Sequence, residues 1–261
     1  MQVGPQARSK GFRAIWFETL ASTNDEASAL ARSGEPSGLW VLAGEQSKGR
    51  GRQGRPWSSP RGNFHGSVLL VEPCAQRFAP QLGFVAGVSL LQALRVLAPN
   101  APLALKWPND VLCNGAKLAG VLIEGATLPG NVFVSVIGFG VNCIGAPDGL
   151  PYRAACLADI GSACAPSDLL RELSDALARN LDIWHAGEGF SAIRSAWLAR
   201  AYGLGKPLEA RTQNGSACGI FETIDGDGRL VLTTQAGKVT VEAADVFPVA
   251  ATASAGSGIR T

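Results

Sequence analysis

Between Gly49 and Gly62 the chain reads GRGRQGRPWSSPRG, and with Lys48 included it gathers five positive charges, no acid and six Gly or Pro residues. Arginine offers planar, permanently charged forks that match a carboxylate or a phosphate, and glycine lets the backbone approach such an anion closely. The stretch contains G-x-G-x-x-G after a strand-like run. However, PWSSP follows where a dinucleotide fold would open a helix, and its prolines forbid one there. No G-K-S/T closes a Walker-type phosphate loop either. What remains is a mobile basic loop, and by itself it suits an anionic ligand, an RNA contact or plain solvent equally well.

Two further clusters carry chemistry. Lys106-Trp107-Pro108-Asn109-Asp110 ends an apolar run with two charges, an amide and a rigid turn, and Lys117 and Gly120 follow in KLAGVLIE. Asn109 and Asp110 then project at a strand end, a common place for ligands, although Asn-Asp after Pro also serves as a simple turn. Gly138-Phe139-Gly140-Val141-Asn142 is an apolar strand whose glycines admit a ligand face and whose terminal amide can read a base or ribose. A glycine bulge is the alternative.

These groups need a scaffold to hold them. Thr23-x-x-Glu26 has capping-box form and predicts a helix from near Thr23 to Gly34, with Ser22 and Thr23 at its exposed N-terminal end. LWVLAGE and GSVLLVEP read as the strands entering and leaving the basic loop. QLGFVAGVSLLQALRVLAPN reads as a helix. LALKWPND, VLCNG, LAGVLIEG and NVFVSVIGFGVN read as successive strands, reversed at Gly115 and at Pro129-Gly130. Helices follow over about Ser167 to Trp184, with Leu170, Leu173, Leu177, Leu181 and Trp184 on one face, and about Phe190 to Tyr202. After Gly203 come five short strands, PLEAR, ACGIFETID, RLVLTT, KVTVEA and DVFPV, with a hairpin signal at Asp225-Gly226-Asp227-Gly228. The fold class is therefore α+β, with a main domain over 12–203 and a small β-barrel over 204–250. Residues 1–11 and 250–261 read as disordered ends.

With 261 residues and 46% hydrophobic content the chain can bury a sizeable core. A net charge of +2 with 17% charged residues is too mild for a general nucleic-acid or membrane binder, so any polyanion chemistry is local. The longest apolar run, Leu82 to Ala98, is interrupted by Gln92 and Arg95 and is short for a membrane span; MQVGPQARSKGFR has no apolar secretory core. Six cysteines without C-x-x-C indicate neither a disulfide framework nor a zinc site. His65 and His185 are isolated and read as structural. A cytoplasmic location is expected.

Taken together, GRGRQGRPW, KWPND with KLAG, and GFGVN, in this order, resemble the biotin protein ligase family, over a span from about Ser22 to Phe247. Ser22-Thr23-Asn24 matches the family's STN element, and Gln46 matches its glutamine before the loop. Phe139, and Phe64-His65 after which the strand continues, depart from the family's usual residues and bear on pocket shape. With about a dozen residues ahead of the first strand, no helix-turn-helix module and no DNA binding are expected.

The resemblance implies a mixed-sheet, class II synthetase-like catalytic domain with flanking helices and an SH3-like C-terminal barrel. It implies two half-reactions, in which biotin and ATP with Mg2+ give biotinoyl-5'-AMP and pyrophosphate, and a lysine of a biotin carboxyl carrier protein then takes the acyl group. The acceptor is that of acetyl-CoA carboxylase and similar biotin-dependent enzymes. Implied biotin contacts are Ser22, Thr23, Asn24, Gln46, Gly49, Arg50, Arg52, Lys117 and Gly120. Implied nucleotide contacts are Arg52, Arg55, Trp57 over the adenine, Asn109 and Asn142. Catalysis falls to Arg50, Arg52, Lys117 and Asp110, with Asp110 orienting either Mg2+ or the incoming amine. A homodimer stays open, as do a lipoate-type ligase of related fold and an RNA-binding module, which would leave KWPND and Lys117 unused.

Overall fold

The computed structural model describes residues 1–147, 149–162, 164–212 and 215–249. It divides into two compact units, Met1–Tyr202 with Gly226–Gly228, and Gly203–Asp225 with Arg229–Thr261.

The first unit opens with α1 (Pro5–Ser9) and β1 (Arg13–Leu20), followed by α2 (Thr23–Arg32) and β2 (Leu39–Gln46). Next come β3 (Phe64–Val71), α3 (Leu82–Leu97), β4 (Leu103–Lys106), β5 (Asp110–Cys113), β6 (Ala116–Leu128) and β7 (Val132–Val141). Two helices finish it, α4 (Pro166–Trp184) and α5 (Phe190–Leu198). Seven strands form one sheet in the order β1-β2-β3-β7-β6-β5-β4, parallel between β1 and β2 and antiparallel elsewhere. The sheet is therefore mixed, as expected. The reversal at Asn114-Gly115 is a two-residue turn with both residues at positive φ, which matches the right-handed strand twist.

One face of this sheet is covered by α2, whose buried Ala27 and Ala31 meet Leu39, Val41, Leu69, Val134 and Val136. On the other face α3 is buried almost all round, and Phe84 packs edge-to-face on Phe190 and Trp197 at 5.5 Å. The Gln76–Leu97 stretch is apolar enough to pass as a membrane span by length and composition, yet most of its apolar part is buried inside the fold, as a core helix requires. Phe139 also belongs to this second face, where it stacks on Trp40 at 5.5 Å.

Three expectations are corrected. Residues 1–11 are not a loose end. Gly4 N–H donates to Ser174 Oγ at 2.8 Å, Ala7 N–H donates to Asp175 Oδ1 at 2.8 Å, and Ala7 is fully buried against α4. The cap of α2 is Ser22 rather than Thr23, because Ser22 Oγ accepts from Asp25 N–H. Ser22 and Thr23 are moreover buried, each 4% exposed, since the helix starts over the sheet rather than beyond its edge. The expected C-terminal end over 250–261 lies outside the described residues.

The second unit contains β8 (Pro207–Thr212), β9 (Gly215–Ile224), β10 (Leu230–Thr234), β11 (Gly237–Val241) and β12 (Asp245–Pro248). They form one antiparallel sheet in the order β11-β10-β9-β8-β12 around Leu208, Phe221, Leu230, Leu232 and Val246.

Candidate functional site

The face that carries α2 changes character along its strands. Beneath the helix it is Leu39, Val41, Leu69 and Val136, all large. Two to four residues further along it becomes Ala43 on β2, Ser67 and His65 on β3, Gly138 and Gly140 on β7, and Gly120 on β6. Apart from His65 these residues are small, and they leave room above the sheet, where α2 begins, for other side chains. A cavity of about 500 Å³ opens in that region, walled by Gln46, Gly49, Trp57, Ser59, Lys117, Asn142 and Tyr152 among others.

One wall is a neutral hydrogen-bond network. Gln46 Oε1 accepts from Thr23 N–H at 2.8 Å and from Thr23 Oγ1 at 3.0 Å, while Gln46 Nε2 donates to Ser59 Oγ at 2.9 Å. Ser67 Oγ lies 2.7 Å from Thr23 Oγ1 and 2.6 Å from Asn24 Oδ1. Asn24 Nδ2 donates to Glu124 Oε2 at 2.7 Å. Because the cap of α2 falls on Ser22, the Thr23 hydroxyl is left to serve this network.

A second part of the wall is charged and aromatic. Lys117 Nζ pairs with Asp110 Oδ1 at 2.7 Å, both side chains largely buried. The same ammonium lies 5.4 Å from the centroid of the Trp57 ring and 5.6 Å from that of Tyr152, so one carboxylate and two aromatic faces share its charge. Trp57 rests on the sheet floor: a Cβ at Gly140 would come within 2.5 Å of its Nε1. At Gly138 the added atom would meet Asn24 Oδ1 at 2.3 Å. These two glycines therefore admit protein side chains to the floor. Trp57 Nε1 is buried with no hydrogen-bond partner among the described residues.

The basic stretch is a narrow hairpin. Gly51 N–H donates to Arg55 O at 2.7 Å, Trp57 N–H donates to Gly49 O at 2.9 Å, and Arg52–Gly54 make a single tight turn at the tip. No α-helix opens at its glycines, in keeping with the prolines. Arg50 is turned toward α2 and β6, where Asp25 and Glu124 carboxylates hold it and raise its pKa further. Arg52 and Arg55 are at the tip, with Arg55 Nε donating to Arg52 O at 3.2 Å. Asn109 Nδ2 donates to Val121 O, and Asn142 Nδ2 to Ala155 O, so each amide spends a donor on backbone.

Of the residues singled out in the sequence, Gln46, Gly49, Trp57, Lys117 and Asn142 thus line the cavity, Thr23 stands behind Gln46, Ser22 and Asn24 bond to Arg50 and Glu124, and Asp110 and Gly120 flank Lys117. Glu124, Asp25, Ser59, Ser67 and Tyr152 were not singled out. Glu124 had a signal, since it shares the strand face of Gly120 two pleats further on. Tyr152 had none, because nothing in a loop sequence sets where it returns. Below the hairpin root, His65 Nε2–H donates to Pro60 O at 3.1 Å, and burial pushes its pKa down. Among the described residues no group of three or more His, Cys, Asp or Glu side chains is arranged around a metal.

Residues 16–142 match the biotin/lipoate A/B protein ligase family, and residues 203–247 match the biotin protein ligase C-terminal domain. A biotin–(acetyl-CoA-carboxylase) ligase of Paracoccus denitrificans is 44% identical over 236 residues, covering 87% of this chain and 96% of the relative. The bifunctional ligase/repressor BirA of Bacillus subtilis is 30% identical over 94% of this chain and 77% of its own length. Among solved structures, the biotin protein ligase of Aquifex aeolicus in complex with biotin and ATP superposes with a TM-score of 0.79 at 26% identity, covering 90% of this chain and 99% of that one.

Proposed function

The chain belongs to the biotin protein ligase family, and from that premise we propose that it activates biotin as biotinoyl-5'-AMP and passes the biotinoyl group to a lysine of a biotin carboxyl carrier protein. In the first step a biotin carboxylate oxygen attacks the α-phosphorus of ATP and the bond to the β-phosphate oxygen breaks, releasing pyrophosphate. In the second a neutral lysine amine attacks the acyl carbon, AMP leaves and the amine gives up its proton.

The observation that carries this reading is the Lys117 ammonium, held by Asp110 and two aromatic rings on the wall of a cavity of about 500 Å³. A carboxylate and a triphosphate repel, and a fixed cation in a partly dry site lowers the barrier where their charges meet. Lys117 bridges that junction and Arg52 grips the phosphate as the hairpin tip folds over it, while Arg50 has one N–H left for the biotin carboxylate. Thr23 and Gln46 exchange their mutual hydrogen bonds for the biotin head group, with Ser22, Asn24, Gly49 and Gly120 shaping its surroundings. Trp57 covers the adenine, and Asn109, Asn142 and Arg55 serve the nucleotide. Mg2+ commonly uses one or two protein carboxylates and takes its remaining oxygens from phosphates and water; Asp110, beside Lys117, would be the carboxylate that holds it, and the ion would neutralise phosphate charge.

The acceptor is the carrier domain of acetyl-CoA carboxylase and similar biotin-dependent enzymes, in the cytoplasm, without DNA binding and with a homodimer compatible. The domain limits proposed are 12–203 and 204–250. Intact-mass spectrometry of a carrier domain incubated with the protein, ATP, Mg2+ and biotin tests the function. One biotinoyl adduct on the target lysine is expected; no adduct overturns the proposal. Lipoate-dependent, biotin-independent ATP–pyrophosphate exchange would transfer it to the lipoate branch.

A further inference from the structure

Two backbone rungs, Gly51 N–H to Arg55 O and Trp57 N–H to Gly49 O, close the hairpin from Gly49 to Trp57. Gln53, Gly54, Arg55 and Pro56 are exposed, and apart from Trp57 it carries no large apolar side chain. Trp57 rests it on the sheet floor at one end, and Arg50 ties it to the body by polar bonds at the other. Arg50 Nε donates to Glu124 Oε1 at 3.1 Å and Arg50 Nη2 donates to Glu124 Oε2 at 2.8 Å, a two-pronged fork across the carboxylate. Nη2 also donates to Asp25 Oδ1 at 2.7 Å and Nη1 to Ser22 Oγ at 3.2 Å. A guanidinium has five N–H donors, so four are committed to the protein.

We propose that Glu124 is a positioning residue that, with Asp25, straps the Gly49–Trp57 hairpin to β6 and to the start of α2 through Arg50, and so sets how the hairpin covers the biotin end of the cavity. Glu124 reaches three segments at once. It holds Arg50 of the hairpin and Asn24 of α2 while standing on β6 itself. Charge-assisted, bidentate bonds are the strong and directional ones, which suits a strap that has to fix an otherwise open turn. Gly49 and Trp57, which bracket the hairpin, both line the cavity, so a shift of the strap moves the cavity wall. The effect on biotin rests on the ligase reading; the effect on the hairpin does not.

The test uses Glu124→Gln, which keeps shape and removes charge, and Glu124→Asp, which keeps charge with a shorter reach. Two readouts are taken: tryptic cleavage within 48–61 on the protein without ligands, and biotin-dependent ATP–pyrophosphate exchange. In Glu124→Gln, cleavage should speed up about tenfold and the KM for biotin rise about tenfold, as loss of a charge-assisted bond allows. The KM for ATP and the melting temperature should stay near wild type. Glu124→Asp should recover part of both changes. Wild-type cleavage and wild-type biotin KM in Glu124→Gln would overturn the strap, as would a uniform loss of kcat, both KM values and melting temperature. Absence of exchange in the wild-type protein would sink the ligase reading, and the cleavage rates would still decide for or against the strap.

Discussion

In one part of the cavity wall Thr23, Gln46, Ser59 and Ser67 hold one another through neutral hydrogen bonds, whereas in another Lys117 sits between a carboxylate and two aromatic rings. In the neutral wall Thr23 begins α2, Gln46 ends β2 and Ser67 lies within β3, and their mutual hydrogen bonds, with Ser59 from the loop, aim the donors and acceptors before any ligand arrives. The charged wall combines two strand residues, Asp110 and Lys117, with Trp57 and Tyr152 from irregular segments, and among the described residues its buried indole N–H has no hydrogen-bond partner. A neutral, satisfied network discriminates between ligands, because a wrong partner leaves buried polar groups unpaired. A fixed charge does little to select but acts strongly on a developing anion. The two walls should therefore separate binding from chemistry.

The largest effect that sharpens this contrast is expected for Lys117→Ala. Pyrophosphate exchange should fall in kcat by about 10²–10³-fold, with the fold intact by circular dichroism. Exchange at the wild-type rate would remove Lys117 from the chemistry. Next comes Arg52→Gly at the hairpin tip, which belongs to neither wall and is assigned retention. Adenylate formation should continue while its escape rises by roughly one to two decades, read as biotinylation of bystander albumin on streptavidin blots. A variant that forms adenylate yet labels albumin no more than wild type would end that assignment. Thr23→Val should raise the KM for biotin about tenfold and leave kcat within about twofold, the mark of lost uniform binding. A fall in kcat with unchanged KM would break the contrast itself.

The smallest effect concerns His65 under the hairpin root. Its Nε2–H is used by Pro60 O, so protonation would place a second buried N–H on Nδ1, which has no partner among the described residues. The folded-state pKa is thus depressed below the unfolded value of about 6.5. Between those two values the unfolded chain binds more protons, so stability present above the unfolded pKa is lost as pH falls toward the folded one. Urea midpoints compared at pH 7.5 and pH 5.5 should show this loss, and His65→Phe should flatten the part that His65 contributes.

Much of the architecture was legible because glycine and proline punctuate it. Asn114-Gly115 and Pro129-Gly130 mark turns that the β5–β6 and β6–β7 ladders close. The first helix was not legible, since five residues of mixed polarity become ordered only through Ser174 and Asp175, far along the chain. Within the site, the motifs gave Gln46, Gly49, Trp57, Lys117 and Asn142 of the cavity wall but not Ser59 or Tyr152. They did not reveal that Arg50 is turned onto Glu124, a pairing across 74 positions that only the sheet register creates. The capping signal was off by one residue, Ser22 for Thr23, and that single step decides whether the threonine hydroxyl is spent on the helix or available to the network.

The order of strands in the first sheet also imposes an order in time. All the side chains of the neutral wall lie between Thr23 and Ser67, whereas the charged wall needs Asp110, Lys117 and Tyr152. In the sheet, β3 takes as its second neighbour β7, which is synthesised some 60 residues later and brings the glycine floor with it. At a ribosomal rate of about 5–20 residues per second, the earlier wall waits several seconds with a bare β3 edge beside it. For that interval the nascent chain carries the residues of the neutral wall before those of the charged wall have been made.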